Sequence, residues 1–326
     1  MLLAHRIRLE ATSAQRDYFA RAAGTARKVW NWALAEWLRQ EALGQQPNAM
    51  ALKKQFNAMK YMHPDWLDDR GKPWLQTIHR DAHAQPFVHL ARAWRCNAGK
   101  RQGDKPVGRP TFKKKGRCRD TFYVANDKFR LEGKSIVLPK IGRVVLAEVI
   151  RYSGKIMGAN VSREADHWYV AVQVELPERE AHLQRCGDGV LGVDLGVSAA
   201  AVLSTGEKIH APRPLKSKLR RVRIRSRRQS RKLEAAKVGA GIVGAIPKGI
   251  RLPVSSNRAK GARALGRLHA HVAHVRTDFT HKLTTRLCRE NQAVVIEDLN
   301  VRGMLANQRL ARAIADVGFY EIRRQL

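Results

Sequence analysis

Two acids stand where chemistry could be done. Gly192-Val193-Asp194-Leu195-Gly196 puts one carboxylate in an apolar strand, and Val294-Val295-Ile296-Glu297-Asp298-Leu299-Asn300 brings a second to the end of another. A carboxylate among apolar neighbours is costly to bury unless it is paired, hydrogen-bonded or coordinating a metal. Gly192 and Gly196 remove side chains beside Asp194, leaving room for a backbone or a ligand. Open α/β sheets carry ligand sites at the carboxyl ends of their strands, so Asp194 and Glu297 converge if the two strands are neighbours. Hard oxygen donors of this kind suit Mg²⁺ or Mn²⁺. Such ions activate water and stabilise a leaving oxygen in phosphodiester hydrolysis. Either acid alone is more often a capping or ion-paired residue than a catalytic one. Asp298 points away from Glu297 in an extended chain and reads as structural.

Charge indicates what such a site would act on. The 326 residues include 62 Lys+Arg against 28 Asp+Glu, a formal net charge of +34. That excess calls for a polyanion, nucleic acid before an anionic membrane. An apolar share of 44% excludes a disordered basic tail. No run approaches the roughly 18 apolar residues of a membrane span. The charged start MLLAHRIRLE does not form a secretory leader, so the expected location is the cytoplasm, close to the nucleoid. Between Lys216 and Lys232 the cations Lys216, Lys218, Arg220, Arg221, Arg223, Arg225, Arg227, Arg228, Arg231 and Lys232 are interrupted by no acid. A solvated helix face normally mixes signs, so this run reads as phosphate contacts with a steep salt dependence. Lys113, Lys114 and Lys115, with Arg117 and Arg119, form a second patch, and Arg39, Lys53 and Lys54 a weaker one.

Other groups promise less. Cys96, Cys118, Cys186 and Cys288 include no C-x-x-C pair, so neither a zinc ribbon nor a disulfide framework is encoded. His79 with His83, and His271 with His274, have helical spacing but no H-E-x-x-H context; they are expected to be solvated or RNA-facing rather than metal ligands. Trp30, Trp32 and Trp37 recur at helical spacing and read as core rather than as base-stacking platforms.

The elements that must position these groups follow from periodicity. Residues 3–9 alternate as a strand. Thr12-x-x-Gln15 is a capping box opening a helix with Phe19, Ala22, Ala23, Ala26, Val29, Trp30, Ala33, Leu34, Trp37 and Leu38 on one face. Helical segments follow at 49–61 and 73–100, then a Gly/Lys/Arg-rich boundary loop at 99–120. Strands at 121–124, 135–138, 143–147, 156–161 and 168–176 suggest a small barrel that the strand at 3–9 joins, with the helices inserted in it. Beyond Pro177 come strands at 190–195, 199–204 and 208–210, long helices at 215–237 and 258–291, a buried strand at 293–296 and a helix at 310–326. That order makes an α/β sheet domain.

The chain resembles the TnpB-type (OrfB) RNA-guided endonucleases of insertion sequences, relatives of the type V CRISPR effectors. Arg8-Leu9 with Thr12, Gln15 and GTARKVWNWAL (24–34) is similar to the family's opening helix, and GRPTFKKK (108–115) with LPKIGRV (138–144) to its central barrel. GVDLGVSAAAVLSTGE (192–207) resembles its first RuvC motif, VVIEDLNVRGM (294–304) its second, and RLARAIADVGFYEIRRQL the helix after it. The resemblance implies an oligonucleotide-binding WED-like β-barrel from 1–10 and 106–185, a helical REC-like domain at 11–105, and a RuvC, RNase H-like nuclease domain at 186–326. It implies Asp194 and Glu297 as the first two metal-binding acids, Mg²⁺ or Mn²⁺ as cofactor, and guide RNA and target DNA as partners. The family continues with a zinc ribbon and a third catalytic Asp. Here the sequence given stops at Leu326 with only Asp298, Asp316 and Glu321 after Glu297, and Asp316 matches a structural position. Weak or absent cleavage and exposed strand edges are therefore expected. The alternatives are a cleavage-deficient RNA-guided DNA-binding protein, or transposon remnant, and a basic RNA-binding protein without catalysis.

Overall fold

β1 (Leu2–Glu10) buries His5, Ile7 and Leu9 on one face while its other side chains stay at least partly in solvent. This alternation fixes its place in the middle of a sheet, because a one-residue slip would turn the apolar set outward. The computed structural model describes residues 1–98, 108–177, 187, 189–247 and 249–326. They belong to two units, Met1–Ala181 and His182–Leu326.

In the first unit β1 lies antiparallel between β5 (Gly142–Leu146) and β7 (His167–Glu175), pairing Leu2 with Glu175 through Leu9 with Trp168 on one side and Leu9 with Leu146 on the other. With β2 (Thr121–Ala125), β3 (Arg130–Glu132), β4 (Ser135–Leu138) and β6 (Lys155–Glu164) it makes a seven-stranded sheet in the order β2-β6-β7-β1-β5-β4-β3. The order is that of an open antiparallel sheet: no hydrogen-bonded ladder among the described residues joins β2 to β3, so the expected barrel is not closed by pairing.

Helix α1 (Ser13–Ala42) begins at the capping box, Thr12 and Gln15 each accepting the other's backbone N–H. Its first turns press Tyr18, Phe19, Ala22 and Ala23 onto the sheet core of Ile7, Ile136, Leu146, Val170 and Val172. Its later turns pack Val29, Trp30 and Leu34 against α2 (Ala49–Met59) and α3 (Asp81–Ala98) in a second cluster with Phe56, Trp66 and Phe87. Full burial of each such side chain contributes about 1.5–3 kcal/mol. Trp32 and Trp37 pack against that cluster, Trp37 stacking on Trp94 at 5.2 Å, so these rings are core.

The helix expected from residue 73 is interrupted. Trp74–Thr77 is a 3₁₀ turn, and Ile78 is extended because its side chain fills the sheet-side core at 3% exposure. His79 then bridges three elements: its Nε2 donates to the Tyr123 carbonyl at 3.0 Å, leaving Nδ1 to accept from the Tyr18 hydroxyl at 3.0 Å. His79 and His83 are each only 4% exposed, so neither is solvated or turned to a nucleic acid. Burial holds both imidazoles below their usual range, His83 at about 4, with Lys60 next in importance.

The second unit has a four-stranded sheet, β10-β9-β8-β11, from β8 (Val190–Asp194), β9 (Ala201–Leu203), β10 (Lys208–Ile209) and β11 (Ala293–Ile296). β8 and β11 are parallel, and β9 is antiparallel to β8 and β10. Between β10 and β11 the chain forms α4 (Pro214–Val238) and α5 (Ser256–Glu290), and after β11 come α6 (Val301–Ala306), α7 (Ala311–Val317) and α8 (Phe319–Gln325). The single helix expected at 310–326 is two helices, because Gly318 takes a left-handed φ of +83° and turns Phe319 and Ile322 into the core. That core covers one face of the sheet, with Leu191, Val193, Leu203, Leu283, Leu287 and Ile314. The burial expected of β11 is not found: among the described residues it is an edge strand paired only with β8, and Val295 is 59% exposed.

Candidate active site and nucleic-acid interface

Register brings the two acids together. The parallel ladder runs from Ala293 opposite Val190 to Ile296 opposite Val193; Asp194 is the last residue of β8 and Glu297 the first after β11, so both acids lie at the carboxyl ends of adjacent strands. Leu191 and Val193 point into the core, so alternation sends Asp194 to the opposite face, with Val190 and Val295. Both carboxylates are exposed and neither has a hydrogen-bond or salt-bridge partner among the described residues. The expected burial of Asp194 is thus corrected: it ends its strand rather than lying inside it, and solvent carries the charge at no desolvation cost. Asp298, beside Glu297, is ion-paired with Arg323 of α8.

The loop after Asp194 is held by its own turn and by a distant arginine. A Cβ at Gly196 would stand 3.0 Å from the Ala199 carbonyl, so glycine lets the loop fold that closely; at Gly192 the nearest atom, Ser204 Cβ, is at an ordinary 3.5 Å. Arg213 donates to the carbonyls of Val197 and Ser198, both at 2.7 Å. Arg213 has a left-handed φ of +45° and immediately precedes α4, which it cannot cap by side chain. Asp316 of α7 does so instead, accepting from the N–H groups of Leu215 at 3.1 Å and Lys216 at 2.9 Å. Its Oδ1 also accepts two bonds from Arg276 of α5, at 3.0 and 2.9 Å. Asp316 is therefore structural. Sequence reading missed Arg213 and Arg276, since nothing in their spacing marks them among so many arginines.

Two carboxylates on adjacent strand ends fit one hard divalent ion, because Mg²⁺ is commonly held by one or two carboxylates plus substrate phosphates and water. No group of three or more His, Cys, Asp or Glu side chains that could hold a metal is gathered among the described residues.

The basic run folds as α4, where Lys216 through Arg231 have no salt-bridge partner among the described residues. In the first unit Lys114 and Lys115 are exposed, but Lys113 is not free for a phosphate. Its Nζ lies 3.8 Å from the Trp30 ring centroid, its backbone is clasped by Asn31, and burial pushes its ammonium down. In the weaker patch Arg39 is tied to Glu36 at 2.7 and 2.8 Å. Cys186 lies outside the described residues, as do residues 99–107 of the basic loop.

The family model OrfB_IS605, "Probable transposase", matches residues 170–308, which hold both acids, and its companion HTH_OrfB_IS605, a helix-turn-helix domain, matches residues 1–45. Over those two stretches the chain is similar to this family. Residues 1–45 nevertheless fold as a strand and one continuous helix. Among similar proteins, InsQ of Escherichia coli K12, provisionally named an RNA-guided DNA endonuclease, is 27% identical over 342 positions, covering all of this chain and 77% of InsQ. A Mycobacterium tuberculosis protein with the same provisional description is 28% identical, over 99% of this chain and 73% of its own. One from Streptomyces pristinaespiralis is 38% identical over 51% of this chain and 36% of its own. A Cas12f1 chain solved with sgRNA and target DNA matches at 10% identity and a TM-score of 0.28, covering all of this chain and 83% of that one; so low a score says nothing of the fold. No helix among the described residues is long and apolar enough to cross a membrane.

Proposed function

We propose that this protein is a transposon-associated, RNA-guided DNA endonuclease, with guide RNA and target DNA as its partners and a RuvC-like site built on Asp194 and Glu297. The observation that supports the reading is that the parallel pairing of β8 and β11 leaves the two acids at the carboxyl ends of adjacent strands. The family and the provisional names of the relatives support the substrate class. Asp194 and Glu297 would hold Mg²⁺ or Mn²⁺, which supplies Lewis acidity to the scissile phosphate when bound. The chain's own contribution is to fix both carboxylates on a rigid sheet, with Arg213 and Gly196 holding the loop beside Asp194. The uncovered sheet face leaves them open to a strand of nucleic acid. In the same reading the sheet unit and its helices correspond to WED-like and REC-like parts. The basic residues of α4, with Lys114 and Lys115, would contact phosphates.

A second reading, guided binding with little cleavage, is favoured by the donor set: among the described residues no group of three or more metal-ligating side chains is gathered, where a two-ion site needs more negative ligands. The test is to express the chain with the DNA that flanks its gene, sequence the co-purified RNA, and assay binding and cleavage of a matching duplex with Mg²⁺. A defined RNA, guided binding and weak cleavage lost in Asp194→Ala is expected. Robust cleavage abolished by Asp194→Ala would overturn the weak-cleavage expectation. Random RNA fragments without guided binding would overturn the guided reading altogether.

A further inference from the structure

Carboxylates that ligate a metal are ordinarily held by hydrogen bonds of their own, yet the Asp194 side chain has none among the described residues. Its place is therefore set by its main chain. Asp194 closes β8 opposite Val202 of β9, and the loop between, residues 195–200, is neither helix nor strand. Leu195, Ala199 and Ala200 are buried, so part of this loop's backbone is cut off from water and needs partners. β10 and the residues after it supply them. The Ala200 N–H donates to the Ile209 carbonyl at 2.7 Å, and His210 Nδ1 donates to the Ser198 carbonyl at 3.2 Å. Arg213 donates to the carbonyls of both Val197 and Ser198 at 2.7 Å. Arg213 does so from an unfavourable backbone, with φ +45° and ψ +54°, between Pro212 and Pro214. Residues with a β-carbon seldom use this left-handed region, and a following proline favours an extended chain instead. The other non-glycine residues with positive φ among the described ones, Lys140 and Ala165, lie in turns between consecutive strands, where such backbone is usual. Arg213 lies in no such turn. Strain of this kind persists where the surroundings impose it, and it gathers at functional sites.

We propose that Arg213 is a positioning residue for the divalent-ion site: the strap Pro212-Arg213-Pro214 carries its guanidinium to the 195–200 loop and so fixes the main chain on which Asp194 presents its carboxylate. This rests on the reading of Asp194 and Glu297 as ion ligands. It adds a linkage between the ion site and the first turn of α4, which starts at Pro214: releasing the strap loosens Asp194, and an ion on Asp194 steadies the strap in return. The sign of the effect is diagnostic. A cation near a Mn²⁺ site repels the ion, so removing Arg213 for its charge alone would raise the affinity, whereas removing it as a support lowers it.

The test uses the full chain and Mn²⁺ alone, with binding read by electron paramagnetic resonance of the free ion and the loop followed by hydrogen exchange. Arg213→Ala and Arg213→Gly both remove the guanidinium, and glycine also relieves the left-handed backbone, so it serves where alanine does not fold. Each should weaken Mn²⁺ binding about tenfold and speed exchange of residues 195–200 by a similar factor before any ion is added. Arg213→Lys, whose ammonium can still donate to both carbonyls, should recover most of the affinity. In the unaltered protein Mn²⁺ should slow exchange of residues 215–218 as well as 195–200. Unchanged or tighter Mn²⁺ binding in Arg213→Gly, while Asp194→Asn still loses the ion, overturns the positioning role and leaves the ion site intact. Weaker binding with exchange of 195–200 unchanged overturns it as well, since the loop is then not what Arg213 holds. Mn²⁺ binding indifferent to Asp194→Asn overturns both readings.

Discussion

Replacing Asp316 with alanine removes one carboxylate that serves two tasks. It caps the first turn of α4 through the N–H groups of Leu215 and Lys216, and it receives the Arg276 guanidinium in a site where Asp316 is 4% exposed. Loss of a helix cap costs about 0.5–2 kcal/mol. Breaking a buried ion pair by removing one partner costs about 3–5 kcal/mol, because the other charge is left unpaired. The Arg276 side chain keeps 27% of its surface in solvent, which relieves part of that cost, so the total is about 3–4 kcal/mol. Asp316→Asn keeps an acceptor for the cap and loses the ion pair, and should fall between. The assay separates the units, since all 7 tryptophans lie before residue 182. In urea, the far-ultraviolet circular dichroism of the Asp316→Ala variant should show an earlier transition for the second unit, while the tryptophan-fluorescence transition stays where it was. A loss below about 1 kcal/mol, or an equal shift of the tryptophan transition, would refute the reasoning that Asp316 ties α4, α5 and α7 together.

Other outcomes follow from the same contacts. His83 is neutral in the fold down to about pH 4 but protonates near 6.5 when unfolded, so the first unit has its full His83 contribution above about pH 6.5 and loses it progressively as pH falls toward 4. The loss is about 3 kcal/mol at most, read by tryptophan-monitored urea unfolding across that range, and His83→Gln should flatten the dependence. Lys113→Ala should destabilise the first unit by about 1 kcal/mol through its lost contact with Trp30. It should leave the salt slope of nucleic-acid binding unchanged, whereas Lys114→Ala/Lys115→Ala should reduce that slope by about two at unchanged stability.

Periodicity carried much of the fold. The capping box at Thr12, the alternation of β1, the helical period of α1 and the apolar runs of β8 and β11 each state a local preference that packing reinforces. The failures lie where a tertiary contact overrides such a preference. Ile78 and His79 leave the helical pattern because one fills the sheet core and the other joins Tyr18 to Tyr123. Gly318 divides the last helix because its left-handed turn carries Phe319 inward. At the site, the two acids could be named from their strands, but not their exposure: a strand end and a strand interior look alike in one dimension. Lys113 and Lys114 also look alike in sequence, and only the position of the Trp30 ring separates a packed ammonium from a free one. Arg213, Arg276 and Asp316 work together across long sequence separations, a relation no local pattern encodes.

That Asp194 and Glu297 together hold a divalent ion can be tested without depending on cleavage. Mn²⁺ binding to the full chain, measured by electron paramagnetic resonance of the free ion, should reveal a site that weakens at least tenfold in Asp194→Asn and equally in Glu297→Gln, while Asp298→Asn leaves it in place. Mn²⁺ binding unchanged by both of the first two substitutions would contradict a shared ion site at these acids.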